Sequence, residues 1–196
     1  MPLALALSGT PGTGKSEVSR LLAGQLKAEI VDLSQVVKER GLVLGRDAPR
    51  NTLIADSARV EQYLETLLQS AKRRYIVVGH YADVTPDALL QCIIVLRCDP
   101  TVLTKRLRER GWSHAKILEN VQAEILGVCT AQALERHPIH KTFEIDTSSG
   151  TVAQVAASVN SILEGQGAQF APGRISWLRI LDPLLIDRIM EQGQLP

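Results

Sequence analysis

The sequence predicts a three-layer α/β fold built on a parallel sheet, and three observations carry that prediction. Short apolar runs of strand length recur along the chain, amphipathic stretches of helical period separate them, and a glycine-rich turn joins the first run to the first helical stretch. Apolar runs without alternation suit strands buried on both faces, and strands that alternate with helices are joined by right-handed crossovers.

The first run, Leu3 to Ser8, stops at Gly9. Val18, Leu21, Leu22, Gln25 and Leu26 then recur at helical spacing, which predicts a helix from near Gly14 to near Lys27. Glu29 to Leu33 reads as a short second strand, and Ser34 to Arg40 as a brief helix closed by Gly41. The stretch through Gly45, Asp47, Pro49 and Asn51 carries turn residues and little periodicity, so it is expected to be mobile and outside the core.

From Asp56 onward, Val60, Tyr63, Leu64, Leu67, Leu68 and Ala71 form the strongest amphipathic pattern in the chain, with Lys72, Arg73 and Arg74 placed to complement the helix C-terminus. Tyr75 to Val78 and Cys92 to Leu96 are two further buried strands, separated by a short segment containing Pro86. Asp99 is positioned to cap a helix that has Pro100 at its first turn and stops at Gly111. Ser113 to Glu135 reads as one long, mostly polar helical stretch, Phe143 to Asp146 as the fifth strand and Val152 to Leu163 as a closing helix.

Bulk properties narrow the function classes. A chain of 196 residues fits one domain with a large core. Lys plus Arg (22) nearly balances Asp plus Glu (21), so the charge of +1 gives no general reason for bulk nucleic-acid binding. Cys92, Cys98 and Cys129 are odd in number and form no C-x-x-C pair, which points to a reducing compartment with the thiols as small core residues. The N-terminus lacks a charged segment and a long apolar run, so a cytoplasmic protein without a membrane partner is expected. His114, His137 and His140 have no metal-ligand spacing.

Gly9-Thr10-Pro11-Gly12-Thr13-Gly14-Lys15-Ser16 matches G-x-x-x-x-G-K-[ST] in full and lies between a predicted strand and a predicted helix, the context the motif requires. Glycines let consecutive N–H groups turn inward toward phosphate oxygens, and the helix N-terminus adds fixed positive charge. On this reading Gly12, Thr13, Gly14, Lys15, Ser16 and Glu17 bind ATP, Lys15 neutralises the outer phosphates, and the Ser16 hydroxyl coordinates Mg²⁺. The motif resembles that of the P-loop NTPases, and that resemblance implies five strands in the order 2-3-1-4-5.

Phosphoryl transfer needs charges and covers around the moving group. The segment from about 32 to 55 has the length of a substrate-binding flap, in which Arg46 and Arg50 could hold a second phosphate or stand as solvated charges. The segment from about 108 to 119 could close over ATP as a lid and present Arg110 or Arg106 to the phosphates, with Arg110 the favoured one and Arg106 and Arg108 otherwise reading as solvated helix charges. His80, just past the third strand, lies at the carboxyl edge where such folds place ligands, and could orient a nucleophile or be structural.

These stretches resemble the small adenylate-kinase-like ATPases typified by adenylate kinase isoenzyme 6, over roughly Leu5 to Leu163. The resemblance is carried by the Gly9 to Ser16 loop, Asp32-Leu33, Asp56 with Arg59-Val60, Val95-Leu96-Arg97, Arg110-Gly111-Trp112, and Glu119-Asn120-Val121-Gln122 with Glu124-Ile125. It implies a kinase domain over 1–164 with a nucleoside-monophosphate flap and a lid, followed by a C-terminal extension over 165–196. It also implies ATP and AMP exchanging a phosphoryl group to give two ADP, ATPase activity, and Lys15, His80 and Arg110 as catalytic residues.

The family's role in small ribosomal subunit maturation adds a small-subunit ribosomal protein and precursor rRNA as partners. One departure stands out: Val78 occupies the place of the acid in the family's Asp-x-His motif, leaving Asp32, Asp56 or Asp83 to compensate near the metal. The alternatives are an ATP-gated assembly factor with little kinase activity, and a small-metabolite kinase of the shikimate or dephospho-coenzyme A type. The tail from Ala171 to Trp177 is similar to the ending of archaeal members, and Ile175 to Met190 is apolar enough to dock.

Overall fold

In a computed structural model that describes residues 4–47 and 52–196, the first half of the chain runs β1 (Ala4–Ser8), α1 (Lys15–Leu26), β2 (Glu29–Asp32), α2 (Leu33–Arg40), β3 (Val43–Asp47), β4 (Thr52–Ala55), α3 (Ser57–Gln69) and β5 (Tyr75–Val78). The second half runs β6 (Leu90–Arg97), α4 (Pro100–Glu109), α5 (His114–Ile125), α6 (Val128–Arg136), β7 (Thr142–Asp146), α7 (Val152–Leu163), α8 (Trp177–Ile180) and α9 (Pro183–Met190). Five strands pair in parallel in the order β2-β5-β1-β6-β7, which is the predicted 2-3-1-4-5 once the small hairpin β3-β4 is set aside.

Alternate side chains of each buried strand leave on opposite faces, so one strand feeds two cores. Ala4, Ala6, Val31, Val77, Ile93 and Val95 face α2, α3 and α6, where Leu33, Val37, Val60, Leu64 and Ala133 are buried. Leu5, Leu7, Ile76, Val78, Ile94 and Leu96 face α1 and α7, where Val18, Leu22, Val155, Val159 and Ile162 are buried. Helices therefore cover both faces, which is why these strands read as unbroken apolar runs.

Local signals set most boundaries. Asp99 Oδ1 accepts the amides of Thr101 and Val102 with Pro100 in the first turn of α4, and Asp56 Oδ1 accepts Arg59 N at the start of α3. Thr151 and Gln154 form a reciprocal capping box on α7.

Three expectations need correction. Residues 113–135 are two helices, because Gly127 takes a φ of 67° between α5 and α6, a left-handed turn that an α-helix cannot contain. The stretch expected to lack structure holds an antiparallel hairpin, β3 with β4; its Leu44, Leu53 and Ile54 are exposed, so no buried face imposes a readable alternation. Helix α3 ends at Gln69, short of the Lys72–Arg74 cluster, and Arg73 instead pairs with Glu29 at the start of β2, 2.5 Å away.

A third cluster joins α4 and α5 to the C-terminal segment: Leu103, Leu107, Ile117, Val121 and Ile125 pack with Trp177 and Ile189. Gln122 Nε2 donates to Ile189 O and Arg108 to Pro196 O, fastening α9 and the last residue to the same helices. Among the described residues no helix is long and apolar enough to cross a membrane.

Candidate functional site

β1 delivers the chain to the carboxyl edge of the sheet, where Gly9 turns it with a φ of 133°. A Cβ at Gly9 would run into the Leu96 carbonyl of β6, so the loop lies too close to the sheet for any side chain there. Thr10 O accepts from Thr13 N at 3.3 Å and from Thr13 Oγ1 at 2.9 Å, closing the turn. Gly12 and Thr13 are buried within it, and Gly14 caps α1. The amides of Lys15, Ser16 and Glu17 open α1 and have no carbonyl one turn earlier to bind, which leaves a concentration of donors beside the loop.

Lys15 Nζ donates to Gly9 O at 2.5 Å and Thr10 O at 3.0 Å, so its partners are two carbonyls rather than a carboxylate. Burial draws its pKa down to about 8; Cys129 and Glu124 oppose the shift, Arg110 adds to it and Asp32 opposes it. A cation desolvated this far, with no direct anionic partner among the described residues, is chemically suited to pair with an anion.

His80 follows β5 at the same edge, with its ring edge-on to Tyr81 at 4.6 Å between centroids. Its carbonyl accepts from Ser8 Oγ at 3.1 Å, which ties it to the end of β1. Crowding around the ring and then the Lys15 charge push its pKa below the ordinary value. His80 is neutral at pH 7, so it can orient a group by hydrogen bonding but adds no charge.

The candidate acids separate. Asp32 caps α2, its Oδ1 accepting the amides of Ser34 and Gln35, and its charge reaches both Lys15 and Tyr81. Asp56 is engaged at the start of α3. Asp83 is buried between the end of β5 and α6 with Oδ1 lacking a partner among the described residues, and burial raises its pKa. Val78 is buried in the core facing α1 and offers no side-chain oxygen.

Arg110 ends α4 as an exposed residue whose charge acts on Lys15. Ser16 and Glu17 are exposed on the first turn of α1, and Glu17 reaches toward Arg20 at 4.0 Å. Arg46 is exposed on β3, and Arg50 lies outside the described residues.

Arg106 is not a solvated charge. Its guanidinium donates to Thr147 O at 2.8 Å, Gly12 O at 3.4 Å and Cys98 Sγ at 3.4 Å, so it spans the loop after β7 and the glycine-rich loop. Thr147 Oγ1, 2.9 Å from Thr13 O, adds a second tie between those loops. Periodicity could not separate Arg106 from Arg108, since only the first faces inward.

Behind the loop lies a group of charges that sequence reading left without a role. Arg97 Nε donates to Glu124 Oε1 at 2.7 Å and its Nη1 to Glu144 Oε1 at 2.5 Å, with all three side chains buried. Burial lowers the Arg97 pKa, and the two carboxylates more than reverse that, leaving it above the ordinary value. Glu124 Oε2 accepts Thr10 Oγ1 at 2.5 Å. The one available signal was chemical: an Arg and a Glu in otherwise apolar segments require partners.

Comparison with known proteins agrees with this geometry. A family model described as "AAA domain" matches residues 5–127. A protein of Archaeoglobus fulgidus named "Putative adenylate kinase" is 36% identical over 193 residues, covering 95% of this chain and 96% of its own. One of the same name from Methanosarcina acetivorans is 34% identical over 186 residues, covering 89% and 97%. Among solved structures, shikimate kinase from Bacteroides thetaiotaomicron superposes with a TM-score of 0.58 at 16% identity over 83% of this chain and 98% of its own. A gluconokinase from Sinorhizobium meliloti gives 0.52 at 15% identity over 86% and 95%. The fold is that of the P-loop kinases, and the chain belongs to the AAA-domain family and to the archaeal group that carries the adenylate kinase name.

Proposed function

We propose that this protein transfers the terminal phosphoryl group of ATP to AMP, with slower transfer to water as a side reaction. The observation that carries the reading is the Lys15 ammonium, held on two loop carbonyls at the start of α1 and destabilised by burial, so that a polyphosphate meets a cation free to turn toward it. The archaeal relatives named for adenylate kinase supply the substrate class.

In this reading the amides from Gly12 to Ser16 hold the phosphates, and Lys15 leaves Gly9 O and Thr10 O for their outer oxygens. Arg110 adds positive charge where negative charge develops, and neutral His80 orients the acceptor or an attacking water. The residues present fit Mg²⁺ as well: the exposed Ser16 hydroxyl would hold it, with Asp32 the acid whose charge reaches the site. Bound there, the ion would neutralise charge on the transferring group.

Product analysis with ATP plus each nucleoside monophosphate, run beside ATP alone, tests the reading: ADP should form fastest with AMP. Lys15→Ala should abolish both reactions, and wild-type turnover by that variant would show the site to be wrong.

Val78 favours a second reading. Without an acid at the end of β5 to organise the metal's water, turnover is expected to be slow, which suits an ATP-gated assembly factor acting on a small-subunit ribosomal protein or precursor rRNA. A pull-down of small-subunit proteins with and without ATP distinguishes it, since this role requires a partner whose binding depends on nucleotide.

A further inference from the structure

The tail makes three polar contacts with the buried charge group, each to a different member. Gly173 N donates to Glu144 Oε2 at 2.7 Å, Ile175 O accepts from Arg97 Nη1 at 3.3 Å, and Trp177 Nε1 donates to Glu124 Oε1 at 3.0 Å. The indole itself is buried, only 3% exposed, against α4 and α5. Glu124 thus has the tail on one oxygen and the glycine-rich loop on the other, because Oε2 accepts Thr10 Oγ1.

Thr10 is the pivot of that loop. Its carbonyl receives the Thr13 amide, the Thr13 hydroxyl and the Lys15 ammonium, while its hydroxyl is held from behind. Two carboxylates share one guanidinium, so the group carries excess negative charge in a buried setting. Each added N–H or O–H donor matters there, because a buried carboxylate deprived of a donor must find another or move.

We propose that the C-terminal segment positions the phosphate loop through Glu124, so that docking of residues 173–177 and binding of a triphosphate at Gly9–Ser16 are linked. The inference rests on the phosphate-site reading above and adds a controlling element to it. Glu124 is a positioning residue: it touches no substrate and acts through Thr10. When Lys15 leaves Thr10 O for a phosphate, the hold on Thr10 passes to Glu124, which is firm only while Trp177, Arg97 and the Cys98 amide fix its other oxygen. Linkage is reciprocal, so ATP must tighten the tail by the factor by which the tail tightens ATP.

The chain has two tryptophans, so Trp112→Phe in the full-length protein leaves Trp177 as the sole indole reporter. In that background, ATP should change Trp177 emission with the same saturation curve that calorimetry gives for binding. Adding Thr10→Val should remove the emission response while Thr10→Ser retains it. In the otherwise native chain, Trp177→Phe, which keeps an aromatic side chain but loses the indole N–H, should weaken ATP binding roughly five- to tenfold. If Trp177→Phe does not fold, the emission measurements decide alone. ATP binding by calorimetry with unchanged Trp177 emission, or with wild-type affinity in a folded Trp177→Phe, overturns the linkage and leaves the phosphate site standing. No ATP binding to the wild-type chain removes the phosphate site and the linkage together.

Discussion

Two neighbouring regions of this molecule each centre on a cation, and the fold treats the two cations in opposite ways. Arg97 is surrounded by carboxylates: Glu124 and Glu144 take its guanidinium, and Thr130, Cys98, Gly173 and Trp177 supply further hydrogen bonds around the group. Among the described residues Lys15 has only carbonyls as direct hydrogen-bond partners, and burial draws its pKa to about 8. Glu124 stands between them, bonded to Arg97 directly and connected to Lys15 through Thr10. The first arrangement is a satisfied structural joint, and the second holds an unfavourable charge, which the proposed function would use to meet a phosphate.

Removing each cation should therefore have opposite effects on stability. Arg97→Met leaves two carboxylates buried without a counter-charge and should cost about 3–5 kcal/mol in denaturant unfolding. Combining it with Glu124→Gln and Glu144→Gln should recover part of that loss, which distinguishes stranded charge from lost packing. Lys15→Met should abolish phosphoryl transfer yet raise stability at pH 7 by about 2 kcal/mol, less than the whole pKa shift because the residue is only half-buried. A less stable Lys15→Met would mean that the ammonium is not strained.

The pH dependence sharpens the same contrast. The Lys15 pKa is about 8 in the folded chain against an ordinary 10.5, so between those values the unfolded chain holds more protons and stability rises with pH. Below pH 8 the penalty is complete. The advantage of Lys15→Met over the wild type should thus be constant up to about pH 8 and shrink toward pH 10.5, as unfolding measured in parallel on the two proteins would reveal. ATP affinity of the wild type should fall over the same range as the cation is lost. The smallest effect is expected on the exposed hairpin, where Ile54→Thr should change stability by no more than about 0.5 kcal/mol.

Much of the fold is written in local pattern. The buried strands had no polar alternation to hide them, Asp99-Pro100 announced α4, and the glycine-rich loop announced its own position between β1 and α1. The hairpin escaped because strands exposed on both sides carry no periodic burial, and the break at Gly127 escaped because polar helical residues continue across it. Of the candidate site, the placement of Lys15 and Ser16 at the start of α1 was legible since the motif is contiguous. Arg106 was not, because its partners Gly12 and Thr147 come from opposite ends of the domain.

By itself the sequence determined the alternation of strands and helices, the glycine-rich turn at Gly9 to Ser16 between β1 and α1, and the presence of an apolar tail in search of a surface. Only the tertiary structure decided that Glu124 meets Thr10 and Trp177 on the two oxygens of one carboxylate. The physical reason is range: caps and periodicities act within a few residues and leave a local trace. A buried charge is stabilised by whichever groups the packed helices and strands bring to it, and nothing in its own neighbourhood along the chain names them.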